Sequence, residues 1–212
     1  MFLHKKCPIC RSSSIEEFFE AEKRKYILCE NCEFIFVPKQ FWVSKTEEKL
    51  RYEQHKNHSN DLGYISFLSQ IVVTTKKFLK DGSSGIDYGC GSNSVLSDIF
   101  KKEKMHMTQY DPFFYPKFPN KKFDFLVSTE TFEHLQNPSM EIKNILSIVH
   151  SKGVIGIMTA FWEKDIFIKD WYYRKDKTHI SFYTFRTFEC IADIFKLKIL
   201  YTDKKRIVIF KK

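Results

Sequence analysis

No stretch of the 212 residues approaches the roughly 20 consecutive apolar positions that a membrane-spanning helix needs. The N-terminus, Met1-Phe2-Leu3-His4-Lys5-Lys6-Cys7, also lacks the apolar run of a secretory signal. Internal repeats and low-complexity tracts are missing too. A soluble, cytoplasmic chain with no membrane partner is therefore expected. What is present is enough for a core: hydrophobic residues make up 43% and aromatic residues 17%, which excludes global disorder. The length allows one α/β domain plus a small appendage, but not two full domains.

A formal charge of +9 would favour a polyanionic partner such as RNA. The lysines, however, are scattered towards the ends of expected elements (Lys76, Lys77, Lys101, Lys102, Lys204, Lys205), where solvated charge belongs, and no RNA-binding signature accompanies them. Charge alone leaves both a small-molecule and an RNA partner open.

The six cysteines divide unequally. Cys7 and Cys10 form one Cys-x-x-Cys pair and Cys29 and Cys32 another, with residues 11–28 between them. Each pair places two sulfurs on one tight knuckle, and two knuckles supply a tetrahedral Cys₄ site. All four positions are filled by protein, so the expected zinc is structural. About 40 residues cannot bury an adequate core, and metal binding would supply the missing folding free energy. Cys90 and Cys190 stand apart and read as packed thiols.

Beyond Pro38 the pattern changes. Tyr64, Phe67, Leu68, Ile71 and Val72 recur at helical spacing, and Asp81-Gly82-Ser83-Ser84 breaks that helix. Strand and helix signals then alternate: strands at 85–88, 105–110, 123–127 and 154–158, helices at 94–102, 140–149 and 184–195, and an antiparallel finish at 197–202 and 207–210. Such alternation predicts a largely parallel sheet with helices on both faces. The expected division is a zinc ribbon at 1–40, a helical lead-in or lid at 41–82, and the α/β domain at 83–212.

Within that domain, Asp87-Tyr88-Gly89-Cys90-Gly91-Ser92-Asn93 joins a strand to a helix. Alternate glycines let the chain turn sharply and let its backbone approach a ligand. The third Gly of a dinucleotide fingerprint is absent, and no phosphate-cradling Lys-Ser/Thr follows, so a ligand without pyrophosphate fits better. Asp111, 20 residues after Gly91, ends the next strand, where a carboxylate can accept from ribose hydroxyls.

At these residues the chain resembles the class I S-adenosylmethionine (SAM)-dependent methyltransferases. Asp87-x-Gly89-x-Gly91 is similar to their first motif and Asp111 to their ribose-binding acid; Phe123–Glu130 resembles their fourth strand, Gly153–Thr159 their fifth, and Glu133-His134-Leu135-Gln136-Asn137-Pro138 a segment often seen after the fourth. The resemblance spans roughly residues 45–210. It implies SAM as cofactor, held by Asp87, Gly89, Cys90, Gly91, Asn93, Asp111, Pro112, Phe113, Ser128, Thr129, Glu130 and Tyr52, with the acceptor above the fourth and fifth strands. His55 and Tyr64 would join Tyr52 over SAM in a lid. Two departures stand out. Asn93 replaces the usual third Gly, a substitution made tolerable by the readiness of Asn to adopt left-handed backbone. Only residues 112–122 separate Asp111 from the next strand, too few for a helix, a strand and a helix, so the family's third strand is expected to be shortened or missing. Phe113 or Phe114 would then stack on the adenine.

Glu130, Glu133 and His134 stand at i, i+3 and i+4, and a helical turn would put them on one face. With His179 they form a set suited to Mg, Mn or Fe. The arrangement resembles metal-assisted O-methyltransferases, which implies that Glu130, Glu133, His134 and His179 ligate a divalent ion that acidifies the acceptor hydroxyl. A metal-free alternative makes His134 or His179 the general base, with Glu133 beside them. Trp171-Tyr172-Tyr173-Arg174 is a candidate aromatic wall. The expected reaction is methyl transfer to an O or N acceptor on a small molecule or RNA. An alternative is a zinc-ribbon binding protein whose methyltransferase-like domain is catalytically inactive.

Overall fold

A computed structural model describes residues 6–54, 61–163 and 170–212. His55 and His58 lie outside the described residues. The N-terminal part contains β1 (Ile15–Ala21), β2 (Arg24–Cys29) and β3 (Ile35–Phe36), followed by α1 (Lys45–Glu53) and α2 (Leu62–Lys76). Strands and helices then alternate: β4 (Ser84–Tyr88), α3 (Val95–Lys102), β5 (His106–Tyr110), β6 (Phe123–Thr129), α4 (Pro138–Ile148), β7 (Val149–Met158), β8 (Ser181–Phe182), α5 (Phe185–Phe195), β9 (Lys198–Thr202) and β10 (Ile207–Lys211).

Six strands form the main sheet in the order β5-β4-β6-β7-β10-β9. β5, β4, β6 and β7 run parallel to one another, whereas β10 is antiparallel to both β7 and β9. The parallel strands are covered on both faces, which is why β6 reads as a nearly continuous apolar run. Phe125 and Val127 pack with Leu68, Ile71 and Val72 of α2 and Phe100 of α3, while Leu126 packs with Ile142 and Ile145 of α4 and Phe188 of α5. Between β5 and β6 no strand or helix intervenes, so β5 is an edge strand and the shortened topology expected from residues 112–122 is what the chain adopts.

The second sheet has the order β1-β2-β3-β8 and is antiparallel throughout. Its fourth strand, β8, comes from the C-terminal half of the chain. Contact with the main domain is intimate: Cys7, Cys29 and Cys32 share an apolar cluster with Leu126, Ile155 and Phe188. Ser139 Oγ of α4 donates to Pro8 O at 2.6 Å, and Thr187 Oγ1 of α5 donates to Cys32 O at 2.9 Å. Among the described residues, no helix is long and apolar enough to cross a membrane.

Candidate active site

The four paired cysteines meet as expected, one sulfur from each within 4.8 Å of the others. Cys7 and Cys32 sulfurs are 3.6 Å apart and Cys10 and Cys29 sulfurs 3.5 Å. A tetrahedral zinc with Zn–S bonds of ~2.3 Å requires sulfurs about 3.8 Å apart, whereas a disulfide requires about 2.05 Å. The Ile9 N–H donates to Cys7 Sγ at 3.4 Å, the kind of bond that stabilises a thiolate. Donor set and spacing both suit zinc. Cys190 is buried in α5, and burial pushes the Cys90 thiol well above its ordinary pKa, so neither is poised as a nucleophile.

At the carboxyl end of β4 the chain turns through Gly89 (φ 78°) and Gly91 (φ 65°), both in the left-handed region that favours glycine. A Cβ on Gly89 would lie 2.4 Å from the Thr131 side chain, whereas one on Gly91 would meet nothing within 4 Å, so the backbone there faces open space. Asn93 is not among the residues with positive φ, so the left-handed tolerance invoked from the sequence is not used. Asp111 ties the turn together: Oδ2 accepts from Gly91 N at 3.0 Å, and Oδ1 from Phe113 N and Phe114 N at 2.8 and 3.1 Å. Asp87 is buried beneath. Ser94 Oγ, at the N-cap of α3, donates to Asp87 Oδ2 at 2.5 Å. Burial nonetheless raises the Asp87 carboxyl to about 7, against the hydrogen bonds from Ser94 and Ser97.

These residues open onto a cavity of about 1040 Å³. Of the sequence-predicted cofactor residues, Tyr52, Asp87, Gly89, Cys90, Gly91, Asn93, Asp111, Pro112, Phe113, Thr129 and Glu130 all line it, as do Glu133, His134 and His179. Ser128 does not. Its side chain is fully buried and its hydroxyl donates to Tyr88 O at 2.8 Å, because alternation along β6 points Thr129 and Ser128 to opposite sides. Phe114 is not among the lining residues, whereas Phe113 is and packs edge-on against Tyr52. Tyr172 and Tyr173 reach the cavity; Trp171 packs instead with Phe182.

The Glu130–His134 turn differs from the expected helix. Glu130 is left-handed (φ 46°) and precedes a single 3₁₀ turn at Phe132–His134, so it shares no helical face with Glu133 and His134. A non-glycine residue there costs on the order of 1 kcal/mol and is a feature of strained functional sites. One ligand atom each from Glu133, His134 and His179 lies within 4.8 Å of the others, and Glu130 does not join that set. Glu133 Oε2 accepts from Thr159 Oγ1 at 2.9 Å, while Oε1 is buried with no hydrogen-bond partner among the described residues. His134 Nδ1 lies 3.1 Å from Thr178 O, and His179 Nδ1 lies 2.6 Å from Tyr173 O. A carbonyl oxygen only accepts, so both imidazoles carry the proton on Nδ1, and a neutral ring has its lone pair at Nε2. His134 Nε2 is 3.9 Å from Glu133 Oε1. Burial lowers His134 to about 4 and raises Glu133 to about 7, the latter helped by the nearby Glu130 charge. The result is an electron-rich pocket corner suited to a cation or to a proton leaving an acceptor.

Two contributors were not evident from sequence. Ser94 carries a legible signal, since a Ser before an apolar helix start is a good N-cap. Thr159, whose hydroxyl donates to Glu133 and lies 3.1 Å from that of the expected wall residue Tyr173, carries none, because long-range packing brings it there.

A methyltransferase domain family model matches residues 58–201. No curated protein matches the chain significantly. Among solved structures, the chain is similar to the 1,6-didemethyltoxoflavin-N1-methyltransferase of Burkholderia thailandensis, with 10% identity and a TM-score of 0.60 over 93% of this chain and 99% of that one. It is also similar to the N-methyltransferase NodS of Bradyrhizobium japonicum WM9 (12% identity, TM-score 0.51, 78% of this chain and 97% of that one). A third likeness is to the plantazolicin methyltransferase BpumL (14% identity, TM-score 0.50, 79% and 90%). At these identities the likeness is one of fold. With the glycine turn, Asp111 and the parallel sheet in the expected order, the matched family decides the matter: the chain belongs to the class I SAM-dependent methyltransferases.

Proposed function

We propose that the chain transfers the SAM methyl group to an oxygen or nitrogen of a small-molecule or RNA acceptor, with Glu133, His134 and His179 working at the acceptor. The observation that carries this reading is the juxtaposition of a buried carboxylate oxygen without a donor and two imidazoles held with Nδ1 protonated, all on the cofactor cavity. The cavity is large enough for a nucleoside cofactor and a small acceptor together. Asp87 and Glu130 would face the cationic end of SAM, Asp111 the ribose, and Phe113 with Tyr52 the adenine. The solved structures of the toxoflavin enzyme and of NodS, both with S-adenosylhomocysteine, support a cofactor in this fold's cavity. Of the expected lead-in or lid at 41–82, α1 would serve as the lid, since it lines the cavity through Glu48, Arg51 and Tyr52, whereas α2 packs Leu68, Ile71 and Val72 into the sheet core.

Most of the rate would come from holding acceptor and methyl group in line, with a smaller part from managing the acceptor's proton. Glu133, His134 and His179 are also the residues that would hold a divalent cation. Such an ion, when bound, polarises an acceptor oxygen and lowers its pKa. Electron paramagnetic resonance with added Mn²⁺ tests this: the zinc-loaded chain is expected to bind one Mn²⁺, and Glu133→Ala to lose that site. If the wild-type chain holds one zinc and takes up no Mn²⁺, the metal reading is wrong and His134 or His179 remains as base.

A further inference from the structure

The segment from Asp176 to Ile180 carries His179 and braces His134, and the cysteine-bound sheet grips it. Arg24 of β2 is buried, and its Nη2 donates to His179 O while Nη1 donates to Asp176 O at 3.4 Å. The Val37 N–H, just past β3, donates to Ile180 O at 2.9 Å. Beyond it β3 pairs with β8, Ile35 opposite Phe182 and Phe36 opposite Ser181. On the opposite side His134 Nδ1 donates to Thr178 O and Ile180 N donates to Glu133 O at 2.8 Å. Arg51 of α1 donates to the Asp176 carboxylate at 2.9 Å. The carbonyls of Asp176, Thr178, His179 and Ile180 are therefore each held, three of them by the N-terminal sheet.

A buried guanidinium is costly to desolvate, and the hydrogen bonds of Arg24 to Asp176 O and His179 O end on backbone carbonyls rather than on a carboxylate. A residue kept there merely to fill space would be apolar. Cys29 ends β2 and Cys32 precedes β3, so the metal knuckle fixes the register of the two strands from which Arg24 and Val37 reach out. We infer that Arg24 is a positioning residue for methyl transfer, through which the zinc-bound sheet sets the His179 segment and, through Thr178 O, the tautomer of His134. The N-terminal sheet thereby forms part of the active-site framework.

This inference rests on the reading that His134 and His179 act at the acceptor, and the test separates the two. Arg24→Met and Arg24→Lys would be compared with His134→Ala and His179→Ala, using an acceptor from a radiolabelled-SAM screen. A displacement of about 1 Å costs roughly 100-fold. Arg24→Met is therefore expected to lower kcat about 100-fold with SAM affinity within twofold of wild type. Arg24→Lys should recover most of that loss. Nitrogen-15 NMR of the histidine rings supplies a readout independent of turnover: the wild type shows His134 protonated on Nδ1, Arg24→Met shows a tautomer mixture, and Arg24→Lys restores the single form. If the His variants lose activity while Arg24→Met keeps both kcat and the His134 tautomer, the positioning role is wrong and the acceptor-site reading stands. If the His variants also keep full activity, that reading fails first. Should Arg24→Met not fold, Arg24→Lys decides: a wild-type melting temperature with an altered tautomer supports the role, and an unaltered tautomer with full activity contradicts it.

Discussion

Replacing Cys29 with serine is expected to abolish stoichiometric zinc and to lower the melting temperature of the chain by 10 °C or more. Structural zinc contributes roughly 10–16 kcal/mol of apparent binding free energy in small modules. Here β1, β2 and β3 pack largely on residues from the C-terminal half, Tyr26 and Ile35 with Trp162, Trp171 and Phe182, and Cys7, Cys29 and Cys32 belong to the main apolar cluster. Losing the metal therefore also loosens the face of the sheet covered by α4 and α5. Even ~5 kcal/mol of net destabilisation would lower the melting temperature by about 10–20 °C for a domain of this size. Elemental analysis and scanning calorimetry of wild type and Cys29→Ser check this together. One zinc per chain in the wild type, lost with the early melting of the variant, is the expected pair of results. A wild type without zinc, or a variant that melts like it, contradicts the structural-zinc assignment.

His134→Ala is expected to lower kcat by about 10²–10⁴-fold, the range for removing a positioned acid–base group, with SAM affinity nearly unchanged. His134 would act at the acceptor, whereas the glycine turn and Asp111 would hold the cofactor; all three line the same cavity. The substitution also removes the donor to Thr178 O, a bond that braces the His179 segment. Loss of kcat without loss of SAM binding, read from steady-state kinetics and calorimetry, is the expected signature. Equal loss of both would place His134 in the cofactor's binding shell.

Features set by local spacing were legible in the sequence. Two Cys-x-x-Cys pairs specify a Cys₄ cluster whatever the rest of the chain does, and alternate glycines between a strand and a helix specify a sharp, open turn. The brevity of residues 112–122 also foretold the missing strand. Legibility failed where parity or pairing decides. Ser128 and Thr129 sit on opposite faces of β6, and only Thr129 reaches the cavity. The i, i+3 and i+4 spacing of Glu130, Glu133 and His134 is compatible with a helical turn, yet the left-handed backbone of Glu130 breaks the repeat. β8 has two residues and is defined by pairing with β3, a long-range event without a local pattern. Arg24 was invisible for the same reason: its acceptors lie more than 150 positions away.

The most direct test of the account is calorimetric titration of the purified, zinc-loaded chain with SAM. One site per chain is expected, weakened by at least tenfold in Asp111→Ala, which removes the carboxylate that orders the Gly91 turn and would meet the ribose. Absence of SAM binding to the folded wild-type chain would contradict the central claim and leave a zinc-bound interaction protein built on a methyltransferase scaffold.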